Sequence, residues 1–297
     1  MKIFCFGLGY SALHFLRGQE DVQASGTVRD ADKALALRRD GVDAFVFDGQ
    51  RAEAAIAPSL AAAEALLISI APGAEDPVLV RFAGAIGAMR RLRAIVYLST
   101  IGVYGDHGGA WVDETSQTSP RSERNRARLA VEQQWSALGA SMDLPVHILR
   151  LAGIYGPGRN LLIKLRAGQA RRIVKPGQTF NRTHVADIAQ AIRLTLVSAG
   201  QGGAWNVADE EPAPPQDVIA YAAGLLGLEP PPEEPFDAAD MTPMARSFYA
   251  DNKRVSIEKL KRELGFAPKY PSYREGLRAL AEAGEGAAPA PASQPRG

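Results

Sequence analysis

Cysteine and histidine are scarce in this chain of 297 residues, which contains one cysteine and four histidines. The single cysteine, Cys5, cannot form an intramolecular disulfide or a cysteine-based zinc site, and it suits a reducing compartment such as the cytoplasm. The histidines are scattered without the spacing of metal ligands, so we expect no metal site. They are His14, His107, His147 and His184.

The chain also lacks a long apolar run and an excess of charge of one sign. No stretch approaches the roughly 18 apolar residues of a membrane-spanning helix, and the apolar start is too short for a signal sequence. The 34 basic and 33 acidic side chains leave a formal net charge of +1. No global field therefore attracts nucleic acid or an anionic membrane. We expect a cytoplasmic protein whose partner is a small-molecule substrate.

The apolar segment 2–6 leads into a Gly-x-Gly-x-x-Ala turn that opens a helix. In such a turn the first glycine allows a sharp bend, the second lets the backbone approach a pyrophosphate, and the small third residue packs the helix on the strand. The phosphates then face free N–H groups and the positive end of the helix dipole. Glycine-rich turns also occur wherever a loop needs positive φ, so the context decides. The predicted pyrophosphate-binding residues are Gly7, Leu8, Gly9, Tyr10, Ser11 and Ala12.

The next predicted strand, 22–28, ends in Arg29 and Asp30. An acidic residue roughly 20 residues past the glycines binds the ribose hydroxyls of NAD, whereas an arginine accommodates the 2′-phosphate of NADP. The planar guanidinium of Arg29 can pair with phosphate oxygens and stack on adenine. Alternatively, both residues form the solvated start of the next helix, with Asp30 as its N-cap. The pattern favours NADP, with NAD as the alternative.

Short apolar runs alternate with helical patterns along the first half of the chain. Apolar strands joined by helices form a parallel sheet that is covered on both faces, and ligands bind beyond the carboxyl ends of its strands. Asp48 at one such end either accepts from the adenine amino group or caps a helix that follows Gly49. The further cofactor-binding residues predicted on this basis are Asp48, Gly49, Ile70, Ala71, Ser99, Ala152, Gly153 and Ile154.

The composition changes after Leu151, where Gly-Pro turns and a proline-rich connector over 212–235 indicate a smaller second lobe. We therefore predict an α/β fold: a Rossmann-type doubly wound parallel sheet with a smaller C-terminal substrate lobe. The apolar spacing over 251–264 predicts a helix in that lobe. The predicted dinucleotide-binding domain comprises 1–150 and 183–205, the substrate lobe comprises 151–182 and 206–283, and the Ala/Pro-rich segment 284–297 is a disordered tail.

Several motifs together resemble the extended short-chain dehydrogenase/reductase family of the NAD(P)-dependent epimerase and dehydratase type. The resemblance covers nearly everything before the tail. It implies an NAD(P) cofactor and a homodimer that packs through two helices of each subunit. The motifs are Gly7-x-Gly9-x-x-Ala12, the segments 96–100 and 103–105, 112–114, 150–159, His184-Val185-x-Asp187-Ile188-Ala189, and 205–208.

In that family a Tyr-x-x-x-Lys pair on the helix after the fifth strand carries the chemistry: the tyrosine exchanges a proton with the substrate and the lysine lowers the tyrosine pKa. The resemblance places Arg124 and Arg128 at these two positions. A guanidinium, with a pKa above about 12, binds anions but does not titrate. Arg128 keeps the charge and is predicted to hold a ribose or phosphate. The only Tyr-x-x-x-Lys spacing, Tyr249 with Lys253, lies in the second lobe and is interpreted as coincidence.

Three hydroxyls near the expected nicotinamide end remain as catalytic candidates. Ser99 and Thr100 either hydrogen-bond a substrate oxygen or satisfy the backbone at the strand end. Tyr104 donates a proton only if its phenol pKa is lowered from near 10, and the alternative is packing at the mouth of a loop.

Three functions fit this pattern. The first is an NADP-preferring oxidoreductase or epimerase with a nonstandard acid/base, acting on an unknown small carbonyl, hydroxyl or sugar-nucleotide substrate. The second is a non-catalytic NADP-binding sensor or regulatory protein. The third is a sugar-nucleotide enzyme in which Arg124, Arg159 and Arg172 grip a diphosphate, although surface arginines are commonly just solvated.

Overall fold

The computed structural model describes residues 1–198, 200 and 202–287. Strands and helices alternate over its first half, as the apolar periodicity predicts. The strands are β1 (Lys2–Phe6), β2 (Gln23–Val28), β3 (Asp43–Val46), β4 (Ala65–Ile68), β5 (Ala94–Thr100), β6 (Trp111–Val112), β7 (Val146–Leu151), β8 (Gly153–Tyr155), β9 (Arg172–Val174), β10 (Arg182–His184), β11 (Gly203–Val207), β12 (Glu233–Pro235) and β13 (Arg254–Val255). The helices are α1 (Tyr10–Arg17), α2 (Ala31–Arg39), α3 (Ile56–Ala61), α4 (Pro77–Gly87), α5 (Glu123–Ser141), α6 (Leu161–Arg166), α7 (Val185–Val197), α8 (Pro215–Leu225), α9 (Pro243–Phe248), α10 (Glu258–Leu264) and α11 (Tyr273–Glu282), with a 3-10 turn at Ile101–Tyr104.

Seven strands form one parallel sheet in the order β3-β2-β1-β4-β5-β7-β11. Strand β1 lies inside it, with Ile3 beside Ala24 of β2 and Ala65 of β4. The chain builds outward from β1 in one direction and then in the other, so the order reverses between β1 and β4. The predicted Rossmann-type doubly wound fold is confirmed.

The two faces of the sheet contribute to two separate apolar cores. Along β1, Ile3 and Cys5 belong to the core shared with α1, α7 and α10, whereas Phe4 and Phe6 belong to the core shared with α3, α4 and α5. This alternation follows from the two-residue period of a strand. Burial raises the pKa of the Cys5 thiol to about 12, so this cysteine packs as a small apolar residue.

The smaller lobe packs helices α6, α8 and α11 around the short strand pairs β8–β10 and β9–β12. Not all of the C-terminal half belongs to it. Strand β11 completes the main sheet as far as Val207, two residues past the predicted boundary at 205. Leu260 and Phe266 also lie in the main core, so the segment around α10 belongs to the larger body rather than to the lobe.

The helix predicted over 251–264 is wrong in its first half. Arg254 and Val255 form β13, which pairs with Trp111 and Val112 of β6, and α10 begins only at Glu258. A long-range strand pairing has overridden the local apolar spacing.

The predicted disordered tail begins too early. Glu285 accepts hydrogen bonds from the Gly158 N–H and the Asn160 side-chain amide, both at 3.0 Å, and the Gly286 carbonyl accepts from Arg166. These contacts tie residues 285 and 286 to the start of α6. The rest of the predicted tail, 288–297, lies outside the described residues.

A matched pair of glycine substitutions tests the close packing of β1 on β2. A Cβ on Gly26 would overlap the Cys5 carbonyl and lie 2.9 Å from the Cys5 Cβ, whereas a Cβ on Gly84 in α4 would meet no atom within 4 Å. We expect Gly26→Ala to lower the free energy of unfolding by about 2 to 3 kcal/mol. Gly84→Ala should raise it by about 0.5 to 1 kcal/mol because alanine favours a helix. Urea unfolding of both variants measures this, and equal effects would contradict the described packing.

Candidate functional site

The glycine turn after β1 has the shape of a phosphate cradle. Gly7 has a φ of +98°, and a Cβ there would lie 2.8 Å from Ser69 Oγ, so the turn requires glycine. A Cβ on Gly9 would meet no atom within 4 Å, so space is open beside the second glycine. Among the described residues no side chain caps the N-terminus of α1, which leaves its first N–H groups for an anion. These residues fit the pyrophosphate of a dinucleotide.

The other residues of the turn pack in the core or bond to neighbouring segments of the protein. Leu8 and Ala12 are buried in the core, and the Leu8 N–H donates to the Thr27 carbonyl at 2.7 Å, so it is not free for a phosphate. Tyr10 donates from its hydroxyl to the Pro157 carbonyl at 3.0 Å. Ser11 is also largely buried. Their contact with a cofactor stays a prediction.

Arg29 follows directly after β2 and is exposed at the carboxyl edge of the sheet. No acidic side chain of the described residues forms an ion pair with it. Asp30 is confirmed as the N-cap of α2, because its carboxylate accepts from the Lys33 N–H at 2.8 Å. The end of β2 is therefore followed by an exposed cation.

The residues predicted after β3 and β4 differ in what they do. Asp48 accepts from the N–H groups of Gln50 at 2.8 Å and Arg51 at 2.7 Å. Asp48 thus caps a turn containing Gly49, not a helix, since α3 begins only at Ile56. Beside the glycine turn, Ile70 comes close enough that its Cγ1 would lie 3.0 Å from a Cβ on Gly7, and Ala71 next to it is exposed.

Beyond β7, the three predicted residues lie where the chain leaves the main sheet. Ala152 is buried and donates its N–H to the Val207 carbonyl at 3.0 Å. Gly153 is exposed, and Ile154, half-buried, follows it in β8. Only these last two present surface to the carboxyl edge of the sheet.

Two of the three catalytic candidates are buried and committed to partners within the protein. Ser99 Oγ donates to Glu132 Oε1. The Tyr104 hydroxyl donates to Asn206 Oδ1 at 2.8 Å and accepts from Arg150 Nη1 at 3.0 Å. Burial raises the pKa of Tyr104, with Arg150 opposing the rise, so this phenol is a poor proton donor.

Thr100 differs from the other two candidates. It is half-buried at the end of β5, and its Oγ1 accepts from the Gly102 N–H at 3.1 Å. Within the described part of the chain, its hydroxyl donates no hydrogen bond. The Thr100 proton thus remains available at the carboxyl edge.

A buried ion pair behind these hydroxyls was not predicted. Arg150 in β7 holds both carboxylate oxygens of Glu132 in α5, with Nη2 at 2.8 Å from Oε2, and both side chains are less than a tenth exposed. Two signals in the sequence could have revealed it. Arg150 is the only charge within the apolar run 146–151, and Glu132 continues the four-residue spacing of Arg124 and Arg128.

The two arginines that the resemblance aligned with the tyrosine–lysine pair have different surroundings. Arg128 turns inward: its guanidinium donates to the Leu98 carbonyl and lies 5.8 Å from the Tyr97 ring centre. Arg124 is exposed one turn earlier, with its guanidinium carbon 5.5 Å from the ring centre of Phe248 in α9. The first half of α5 therefore carries one half-buried cation packed against β5 and one exposed cation.

Tyr249 and Lys253 do not act as a pair, although their segment reaches the site. The Tyr249 ring packs on Phe180 and Phe236, while Lys253 Nζ donates to the Gly105 carbonyl at 2.7 Å. Burial lowers the pKa of Lys253. This hydrogen bond links the segment before β13 to the loop that follows Tyr104.

A family model for NAD-dependent epimerases and dehydratases matches residues 80–208, a stretch that contains β5, α5, β7 and β11. These residues form an NAD-dependent epimerase/dehydratase family domain. The resemblance inferred from the motifs is confirmed. In the part of this epimerase/dehydratase chain that the structure describes, no helix is long and apolar enough to cross a membrane, and no group of three or more potential metal ligands is present.

Three similar proteins match this chain over nearly its whole length. A conserved protein of unknown function from Silicibacter pomeroyi is 46% identical, with a TM-score of 0.86 over 96% of this chain and 99% of that one. Protein YeeZ of Escherichia coli (strain K12) is 29% identical over 284 residues, which cover 91% of this chain and 96% of YeeZ. UDP-glucuronic acid 4-epimerase from Bacillus cereus, crystallised with NAD, is 19% identical, with a TM-score of 0.76 over 95% and 96% of the two chains. The last likeness shows the shared epimerase/dehydratase fold.

Two glutamate variants test the buried pair of this epimerase/dehydratase chain. Glu132→Gln leaves Arg150 buried without a counter-charge, and we expect it to lower the free energy of unfolding by about 3 to 5 kcal/mol. Glu53→Gln breaks the ion pair between Glu53 and Arg38, whose side chains are 36% and 43% exposed respectively. This surface variant should lower the free energy of unfolding by at most about 1 kcal/mol. Chemical denaturation measures both.

The double variant Glu132→Leu with Arg150→Leu supplies a further control. The double variant removes both charges together. Its loss in free energy of unfolding should therefore be smaller than the sum of the losses of Glu132→Leu and Arg150→Leu measured singly. Strict additivity would show that the two side chains do not interact.

Proposed function

We propose that the chain is an NADP-preferring oxidoreductase or epimerase that acts on a small carbonyl or hydroxyl substrate or a sugar nucleotide. Two features together carry the proposal. The glycine turn after β1 is open, and the helix that it begins has no side-chain cap; after β2, Arg29 is exposed and forms no ion pair with a described acidic residue. Neighbouring strand ends of a parallel sheet meet at one edge, so a single dinucleotide spans both features.

Specific residues would hold the coenzyme along that edge. The N–H groups at the start of α1 receive the pyrophosphate, and the guanidinium of Arg29 receives the 2′-phosphate. Ile70 borders the glycine turn, and Gly153 and Ile154 lie where the chain leaves β7. When bound, the coenzyme supplies hydride exchange at its nicotinamide ring.

Proton handling at the substrate differs from a tyrosine–lysine mechanism. The Thr100 hydroxyl is placed to donate a hydrogen bond to a substrate oxygen, while Arg124 and Arg128 stabilise negative charge without releasing a proton. General acid/base assistance contributes a factor of about 100 to 10,000, so we expect slow turnover. Water at the open edge then supplies or takes up the proton.

Replacement of Arg29 tests the coenzyme preference. Arg29→Ala should weaken NADPH binding about 10- to 100-fold, because charge-assisted hydrogen bonds to the 2′-phosphate contribute roughly 1.5 to 3 kcal/mol. NADH binding should not change. Isothermal titration with both coenzymes measures this, and Arg39→Ala, an exposed arginine at the far end of α2, is the control. An equal effect on both coenzymes, or no effect, would remove the NADP assignment.

Thr100→Val tests the catalytic role. With a panel of carbonyl substrates and NADPH absorbance as the readout, kcat should fall at least about tenfold, the scale of one lost transition-state hydrogen bond, while NADPH affinity stays unchanged. Thr100→Ser keeps the hydroxyl and should retain most of the rate. A valine variant as fast as the wild type would exclude Thr100 from the reaction.

The Arg124→Tyr, Arg128→Lys double variant separates turnover from sensing. A wild type that binds NADPH yet reduces no substrate, beside a double variant that turns over, would favour the non-catalytic sensor.

A further inference from the structure

A cavity of about 330 Å³ lies in the smaller lobe. Helices α6, α8 and α11 line it, and β8 and β10 supply Tyr155 and Arg182 to its wall. None of the residues predicted to bind the coenzyme lines it. Small-molecule sites in proteins have volumes of about 300 to 1,000 Å³, so this space suits a compact ligand but not a dinucleotide.

The wall of the cavity is mainly apolar, and the charged residues in its lining are two cations. Leu161, Val218, Ile219 and Leu277 provide aliphatic surface, and aromatic rings complete it. The charged residues of the lining are Lys164 and Arg182, and no acidic side chain is among them. Such a lining complements a molecule with an apolar body and a negative group.

Only one nitrogen of the Arg182 guanidinium forms hydrogen bonds within the described residues. Its Nη1 donates to the carbonyls of Phe180 at 2.9 Å and Ala213 at 3.2 Å, and its guanidinium carbon lies 5.9 Å from the Tyr273 ring centre. In the described chain, its other nitrogens form no hydrogen bonds with protein acceptors. Burial lowers the pKa of this guanidinium, with Asp209 opposing the change.

The nearest acid does not neutralise Arg182 through a direct contact. Asp209 is 2% exposed, and neither of its carboxylate oxygens has a hydrogen-bond partner in the described structure. Burial raises the pKa of Asp209, and the charge of Arg182 opposes the rise. Within the described residues the two side chains attract each other at longer range without a direct ion pair, so part of the Arg182 guanidinium is left for a ligand.

We propose that this cavity binds a small organic anion, a carboxylic acid with an aromatic or branched aliphatic body, whose carboxylate pairs with Arg182. The apolar body fills the space between α6, α8 and α11. This site goes beyond the proposed coenzyme-dependent reaction and does not rest on it, so it is tested without NADPH.

Matched ligands give the first test. The full chain is titrated calorimetrically with 3-phenylpropionate and with 3-phenylpropionamide, which has the same shape without the charge. We expect the acid to bind at least about tenfold more tightly, the scale of a charge-assisted hydrogen bond. Equal affinities, or no binding of the acid at millimolar concentration, would overturn the proposal.

Two variants then locate the site. Arg182→Gln should abolish the preference for the acid over the amide, and Ile219→Trp, which fills the cavity, should weaken both ligands at least about tenfold. Arg278→Gln removes an exposed arginine of α11 that does not line the cavity and should change neither affinity. Circular dichroism of each variant checks that it is folded. A folded Ile219→Trp or Arg182→Gln variant that binds both ligands like the wild type would place binding elsewhere and overturn the proposal.

Discussion

The buried ion pair between Glu132 and Arg150 is the interaction on which the candidate site depends. It joins α5 to β7 behind the ends of β5 and β7, where water cannot compete for either charge. Ser99 donates to the same carboxylate, and Arg150 also donates to Tyr104. A buried charge that loses its partner costs several kcal/mol, so these side chains hold one arrangement. That arrangement positions the start of α5, and with it Arg124 and Arg128, at the edge where a coenzyme would bind.

Hydrogen bonds link the C-terminal half of the chain to this edge. Among them, Tyr10 beside the glycine turn donates to the Pro157 carbonyl, and Lys253 donates to the Gly105 carbonyl after β5. The cavity beside Arg182 is lined by residues of the lobe.

The two halves of the proposed activity rest on different grounds. The match to the family model and the geometry of the glycine turn support the binding of a dinucleotide coenzyme. Such a coenzyme itself supplies the hydride chemistry. The acid/base half stays a proposal: it rests on the alignment that puts two arginines of α5 at the tyrosine and lysine positions, and on the buried partners of Ser99 and Tyr104. Guanidinium groups bind and orient anions but do not shuttle protons near neutral pH.

The sequence by itself determined the features that depend on local geometry: the strand, glycine turn and helix at the start, the alternation that builds the sheet, and Arg29 at the end of the second strand. These follow from the two-residue period of strands and from the backbone freedom of glycine at Gly7. Only the tertiary structure decided that Thr100 is accessible while Ser99 and Tyr104 are not, because their partners lie far along the chain, with Asn206 102 residues after Tyr104. It likewise turned part of the helix predicted over 251–264 into β13, because pairing with β6 is a contact between distant segments that local spacing does not encode.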